Sequence, residues 1–136
     1  MYFQTQETDK IDPLMDKAEP SLTKAEELEK DNSEVYCLRK MFSSGKMMAD
    51  PMSRFMMYKP LADAALAMAK KLNPENPRVY LLDGIDKYYT PEQFGGSKEE
   101  GNKLFQEAAK KMETFKPVSR IHPSWGARQI KYFLSL

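Results

Sequence analysis

The chain has 136 residues, and its 21 lysines and arginines almost balance its 20 aspartates and glutamates, so the formal net charge is +1. A near-neutral chain of this length fits one domain and lacks the positive charge that binding to nucleic acid or to an anionic membrane requires. It has one cysteine, Cys37, and one histidine, His122, which excludes an internal disulfide and a zinc site built from cysteines or clustered histidines. We therefore expect no nucleic-acid partner, no membrane insertion and no cofactor.

Apolar residues recur at intervals of three and four along nearly the whole chain, which is the period of an amphipathic helix. Strict alternation, the pattern of a half-buried strand, is almost absent. The chain is therefore predicted to be all-α, with about six helices and no sheet. The predicted helices cover residues 9–30, 33–48, 51–72, 77–89, 97–115 and a last segment that begins near 123. Pro20 and Pro60 fall inside helices, and Pro20 predicts a kink or a break there.

Gly95, Gly96, Ser97 and Lys98 precede the fifth predicted helix, and helix N-termini are able to bind phosphate. The spacing of these glycines matches neither the phosphate-binding loop of nucleotide-hydrolysing proteins nor the dinucleotide fingerprint. We therefore interpret the segment as a turn, in which the glycines permit a left-handed conformation and Ser97 caps the helix. Phe94 is expected to pack back onto the helix pair.

A repeated pattern occurs in three of the predicted helices: a small residue, a large apolar residue four positions later, and an alanine three positions after that. The three copies are Ala18, Leu22 and Ala25, then Ala62, Leu66 and Ala69, then Gly101, Phe105 and Ala108. Successive copies are 44 and 39 residues apart. Small residues on one face let a neighbouring helix approach closely, while the large residue fills the space between them. The pattern predicts stacked pairs of antiparallel helices.

The second copy resembles the second helix of the tetratricopeptide repeat, in which the same pattern is followed shortly by a proline. That run is reproduced here by Ala62, Leu66, Ala69 and Pro74. Tyr80 and Gly84 then fall where the first helix of the next repeat has its aromatic residue and its glycine. The spacing between copies is longer than the roughly 34 residues of that family, and Asp83 replaces the expected leucine. The resemblance implies a stack of antiparallel helix pairs, an α-solenoid.

Two short segments, TPEQFGG at 90–96 and HPSWG at 122–126, resemble a narrower group of bacterial, mostly uncharacterised tetratricopeptide-like proteins. Members of that group are usually exported and longer at the N-terminus. The resemblance covers about residues 10–135, and it implies a single helical domain over 1–136 and a periplasmic or otherwise exported origin. Residues 1–8 are then the remnant of a preceding helix. We expect a C-terminal fragment of a longer protein that self-associates through its N-terminal face.

The resemblance also implies a binding role, because tetratricopeptide stacks hold peptides in a concave groove lined by the first helix of each repeat. We therefore predict a non-enzymatic scaffold that binds an unknown protein or peptide. The helical phase identifies the side chains expected to face this groove. They are Glu34, Met41, Arg78, Leu81, Ile85, Tyr88 and Trp125.

Two other classes of function remain open. His122 and Trp125 lie close together near the last helix, where a small hydrolase or a ligand-binding protein could use them. Five methionines fall within eleven residues, and their thioether groups are suited to Cu(I). They are Met47, Met48, Met52, Met56 and Met57. Methionines at a helix junction more often fill gaps in a core, so we expect core packing and no metal site.

Overall fold

A computed structural model of the chain describes residues 8–115 and 125–136. Those residues form six α-helices and no strand, which confirms the predicted all-α fold. The helices are α1 (Thr8–Leu28), α2 (Ser33–Ala49), α3 (Pro51–Leu72), α4 (Pro77–Tyr89), α5 (Lys98–Thr114) and α6 (Ala127–Leu134). A short 3₁₀ turn, Glu92–Phe94, lies between α4 and α5.

Three helices begin where the sequence provides a capping side chain. The side-chain oxygens of Asn32 and Asn76 accept hydrogen bonds from backbone N–H groups two residues later, at the starts of α2 and α4. The hydroxyl of Ser97 accepts one from the N–H of Glu100 at the start of α5. These bonds satisfy N–H groups that have no partner within the helix. The predicted cap at Ser97 is confirmed, as is the left-handed glycine before it, since Gly95 has a φ of 91°.

Helix α1 continues through Pro20, which is exposed, so the helix is not split there, and a kink stays a prediction. Two local details differ from the expectation. Phe94 is 69% exposed and does not pack back onto the helix pair. The last helix, α6, begins at Ala127 and not near residue 123, so Trp125 precedes it, and Gly126, with a φ of 114°, lies between Trp125 and the first helical residue.

The chain folds as two compact units, each with its own apolar core. The unit that ends at Leu72 contains α1, α2 and α3, and α2 packs against both of the others. The unit that begins at Asn73 contains α4, α5 and α6, and α5 packs against both of the others. The single domain expected over residues 1–136 stays a prediction.

Helix α2 is the central helix of the first unit and is buried along most of its length. Its Val35 and Phe42 pack with Leu22 of α1. On α3, Ala62 and Ala69 of the repeated pattern are fully buried. The hydroxyl of Ser33, at the start of α2, donates to the carbonyl oxygen of Ala69 at 2.7 Å. The small residues therefore allow the close helix approach that the pattern predicts.

An ion-pair network joins all three helices of the first unit through Asp12 of α1. Nη1 and Nη2 of Arg54 donate to the two carboxylate oxygens of Asp12, at 2.6 and 2.8 Å. Lys46 of α2 donates to the same carboxylate at 3.1 Å and to Asp16 at 2.7 Å. Hydrogen bonds from Arg54, and then from Lys46, lower the pKa of Asp12 to about 2. The folded protein therefore favours the ionised form of this carboxyl group.

We expect the substitution Asp12→Asn to lower the melting temperature at pH 7 and to have little effect near pH 2. The pKa of Asp12 is lower in the folded chain than its ordinary value of 3.8. The stabilisation that the ionised Asp12 carboxylate provides is therefore complete above its ordinary pKa, and it is lost as the pH falls through the pKa of the folded chain. Thermal unfolding of both proteins across this range, followed by circular dichroism, measures the difference. A difference that stays constant down to pH 2 would show that the carboxylate charge is not what stabilises the network.

In the second unit, α4 and α5 cross closely where each has a glycine. A methyl group on Gly84 would lie 2.7 Å from Cε1 of Phe105 and 3.2 Å from the carbonyl oxygen of Gly101. Phe105 is fully buried, and its ring stacks on that of Phe133 of α6 with the centroids 4.8 Å apart. Ala108, the last residue of the third copy, is also fully buried. Packing therefore accounts for the third copy of the pattern.

We expect Gly84→Ala to reduce the free energy of unfolding by about 1 to 3 kcal/mol, as overpacking does in other cores. The loss should occur although alanine favours a helix by about 1 kcal/mol over glycine. Urea unfolding measures it, and Asn102→Ala, at an exposed position of α5, is the control and should be nearly neutral. Phe105→Leu should lower the free energy of unfolding less in a chain that already carries Gly84→Ala than in the native chain, because the smaller side chain relieves the clash. If Phe105→Leu lowered the free energy of unfolding equally in both chains, the clash would be ruled out.

The clustered methionines lie at the end of α2 and the start of α3, and most of them are at the surface. Met52 is 99% exposed, and Met56 and Met57 are exposed as well. The expectation that these residues fill gaps in a core is therefore wrong for the four exposed methionines, Met48, Met52, Met56 and Met57. The buried residues of α3 are the alanines Ala62, Ala65 and Ala69. That no metal binds here stays a prediction.

Candidate functional site

The first copy of the repeated pattern differs from the other two because, in the described part of the chain, no helix covers its small residues. Ala18 is exposed and Ala25 is partly exposed, whereas Ala62 and Ala69 of the second copy are buried. Short side chains at these positions of α1 do not fill the space beside α2. A hollow, which we call the α1–α2 cavity, remains between the two helices.

The α1–α2 cavity has a volume of about 530 Å³, within the ~300–1,000 Å³ typical of small-molecule sites. Side chains of α1 and α2 line it, and the hydroxyl of Ser21 is the polar group among them. The lining residues are Leu14, Met15, Ala18, Ser21, Leu22, Ala25, Leu38, Met41 and Phe42. This arrangement suits an apolar ligand.

Part of this apolar lining is in contact with water. Leu14 of α1 is 45% exposed and Leu38 of α2 is 39% exposed. Removing apolar surface from water is worth about 25 cal/mol per Å². A ligand that covers these leucines would gain binding free energy from them, which is the usual significance of an apolar hollow open to solvent.

An ion pair holds the wall of the cavity that contains Phe42. Nε and Nη2 of Arg39 donate to the two carboxylate oxygens of Glu26, each at 2.6 Å. The guanidinium carbon of Arg39 lies 5.1 Å from the centroid of the Phe42 ring. Hydrogen bonding to Glu26 raises the pKa of Arg39. The pair therefore fixes α1 beside α2 and orients the aromatic ring that lines the cavity.

A close contact between Met15 and α2 forms another side of the cavity. A Cβ atom on Gly45 would lie 2.7 Å from Sδ of Met15. The missing side chain at position 45 therefore makes room for the thioether, and a larger residue there would displace it. Gly45 is itself buried within α2.

The predicted groove residues lie in both units, and several of them are buried. Met41 is buried and lines the α1–α2 cavity, and Glu34 is buried on the same helix. In the second unit Arg78 and Leu81 are fully buried. The other three predicted residues pack against the core cluster that contains Leu81: they are Ile85, Tyr88 and Trp125. A peptide groove formed from these residues stays a prediction.

Trp125 contacts a buried arginine of α4. Nε of Arg78 donates to the carbonyl oxygen of Trp125 at 2.8 Å. The guanidinium carbon of Arg78 lies 5.2 Å from the centroid of the Trp125 ring and 5.3 Å from that of Phe115. Within the second unit these contacts give Trp125 a packing role. His122 lies outside the described residues, so the alternative site at His122 and Trp125 has no structural description.

No protein-family model matches the chain, and no curated protein matches it. A solved structure does match. The chain is similar to the HusA haemophore from Porphyromonas gingivalis. The two align with a TM-score of 0.81 and 34% sequence identity over 93% of this chain. The alignment covers 63% of the haemophore chain, so this chain spans less than two thirds of the haemophore's length.

This similarity supports the all-helical fold and is compatible with a tetratricopeptide-like arrangement. Within residues 8–115 and 125–136, no helix is both long enough and apolar enough to cross a membrane.

Proposed function

We propose that the chain is a non-enzymatic binding protein that holds a haem-type tetrapyrrole in the α1–α2 cavity. The observation that carries the proposal is an open, apolar cavity of about 530 Å³. It lies in a chain that is 34% identical to a haemophore, and a haemophore is named for carrying haem. A bound tetrapyrrole takes the place of the expected absence of a cofactor. The ligand is then a small molecule, whereas the sequence led us to expect a protein or peptide.

The chemistry of the cavity fits a flat, largely apolar macrocycle. Leu22 and Phe42 are buried at its inner side, and Leu14 and Leu38 are partly exposed. A tetrapyrrole ring between these side chains would cover apolar surface on both helices, while polar groups at its edge would remain in water. Ala18 and Ala25 contribute by leaving the space empty, so the small residues of the pattern are functional in α1 and structural in α3 and α5.

Two thioether groups in the lining, those of Met15 and Met41, are potential ligands for haem iron. Methionine serves as an axial haem ligand in cytochromes, whereas histidine, tyrosine and cysteine serve in other haem proteins. The cavity lining contains none of those three residue types. We therefore expect contacts with the apolar ring to contribute more to affinity than iron coordination does.

Titration with haemin and with metal-free protoporphyrin tests this proposal. We expect saturable one-to-one binding of both, seen as a shifted Soret absorbance for haemin and increased fluorescence for protoporphyrin. The two affinities should agree within about tenfold, which corresponds to ~1.4 kcal/mol, because most of the contacts are to the ring. Chain unfolded in urea serves as the control for non-specific adsorption. Failure of both compounds to bind saturably would contradict the proposal.

The repeated pattern of small and large residues supports an alternative function, which is peptide binding of the tetratricopeptide type. The burial of Glu34, Arg78 and Leu81 makes it the weaker proposal, because a peptide needs accessible side chains to contact. An exported location, implied by the resemblance of the sequence, is consistent with a protein that collects haem outside the cytoplasm, and it is proposed on that ground.

A further inference from the structure

We infer that lysines along one flank of α1 bind the carboxylate groups of the ligand, so that the α1–α2 cavity selects apolar molecules with acidic groups at one edge. The inference rests on the proposed function and adds the chemistry that distinguishes a porphyrin carboxylic acid from a neutral apolar compound. We call Lys17 and Lys24, which are spaced seven residues apart on α1, the lysine row.

The lysine row borders the cavity. Residues three or four apart are neighbours on a helix surface, and the cavity-lining Ser21 lies four residues after Lys17 and three before Lys24. Both lysines are exposed. Their flexible side chains therefore begin beside the opening of the cavity and are long enough to follow a ligand edge.

Three acidic residues of α1 form ion pairs with cationic side chains of α2. Asp12 and Asp16 bind Lys46 of α2, and Glu26 binds Arg39 of α2. Among the described residues no carboxylate forms an ion pair with Lys17 or Lys24, although Glu27 lies three residues after Lys24. Arg39 and Lys46 of α2 are thus paired with α1 carboxylates, whereas the positive charges of Lys17 and Lys24 are left for a ligand.

An apolar cavity with lysines along one border matches a tetrapyrrole that carries propionate groups on one edge of an apolar ring. The ring would contact the apolar lining, and the propionates would extend toward the ammonium groups of Lys17 and Lys24. Exposed ion pairs of this kind contribute modestly to affinity, but they discriminate between ligands of different charge. A neutral apolar compound of similar size would gain nothing from the lysine row.

The test measures the affinity for two probes, protoporphyrin, which is a dicarboxylic acid, and Nile red, which is neutral and apolar. The double variant Lys17→Glu/Lys24→Glu should bind protoporphyrin about tenfold more weakly, because two attractions become repulsions. Its affinity for Nile red should not change. Lys17→Arg/Lys24→Arg should retain native affinity for both probes. Lys71→Glu/Lys110→Glu makes the same change in net charge at exposed lysines outside the cavity lining and should also behave like the native chain.

Native affinity for protoporphyrin should also fall with added salt, whereas the affinity of the Lys17→Glu/Lys24→Glu variant should not fall, because salt screens its repulsions. Native-like affinity of that variant for protoporphyrin would overturn the inference and would show that the lysine row is only a solvated helix surface. An equal loss of affinity for Nile red would overturn it as well, because the lysines would then not act on carboxylates. If the native chain bound neither protoporphyrin nor haemin, the proposed function itself would fail, which is a distinguishable result.

Discussion

Replacing Phe105 by alanine should lower the free energy of unfolding by about 3 to 5 kcal/mol, the usual cost of deleting a buried aromatic side chain. Phe105 is fully buried, it stacks on Phe133 at 4.8 Å, and it contacts the close crossing of α4 and α5 at Gly84. Alanine would leave a cavity that the crossing helices cannot close, since their backbones already touch. Urea unfolding followed by the fluorescence of Trp125, the single tryptophan of the chain, reports on this unit.

Phe94→Ala is the matched control for Phe105→Ala, because it removes the same side chain from a 69% exposed position of the same unit. It should change the free energy of unfolding by no more than about 0.5 kcal/mol, as is usual for surface positions. Similar costs for the two variants would contradict the assignment of Phe105 to the core of the second unit.

Replacing Ala18 by tryptophan should weaken tetrapyrrole binding at least about tenfold, which corresponds to ~1.4 kcal/mol. Ala18 lines the α1–α2 cavity and is exposed, so the indole ring has room to occupy the cavity without displacing a core side chain. The melting temperature should therefore remain close to that of the native chain while the affinity falls. Titration with protoporphyrin, monitored by its own fluorescence, measures the loss.

Ala67→Trp is the control for Ala18→Trp, since it places the same side chain at an exposed alanine of α3 that does not line the cavity. It should bind protoporphyrin with native affinity. If Ala18→Trp bound as tightly as Ala67→Trp and both remained folded, the ligand would have to occupy another part of the chain.

Much of the fold could be predicted from the sequence because its determinants are local. Asn32, Asn76 and Ser97 cap helices by bonding to N–H groups two or three residues away. The pair Gly101 and Phe105 indicates a close helix contact, and the structure shows that contact with α4. Capping residues and the helical period act over one or two turns, so a single sequence displays them directly.

The α1–α2 cavity could not be predicted in the same way. Ala18, Leu22 and Ala25 form the same pattern as the residues that α3 and α5 bury, and the local sequence does not show whether another helix covers them. That outcome depends on contacts between residues far apart in the chain. Of the nine residues that line the cavity, only Met41 was therefore predicted to be a binding residue.

The exposed methionines show a second limit of sequence analysis. Met52 and Met56 have the composition of core residues, yet the buried side of α3 is the one that carries Ala62 and Ala69. Close helix packing selects small residues, and apolar side chains make up much of every protein surface. Residue size and helical phase together predict the buried side of α3, whereas hydrophobicity alone does not.

The most direct test of the central claim, that a tetrapyrrole binds between α1 and α2, is a methyl NMR titration with metal-free protoporphyrin. The ring current of the macrocycle shifts nearby methyl signals strongly and distant ones little. We predict large shifts for the methyl groups of Leu14, Leu22 and Leu38, which line the cavity, and small shifts for those of Leu81 and Ile130 in the core of the second unit. Large shifts confined to the second unit, or none at saturating protoporphyrin, would contradict the account.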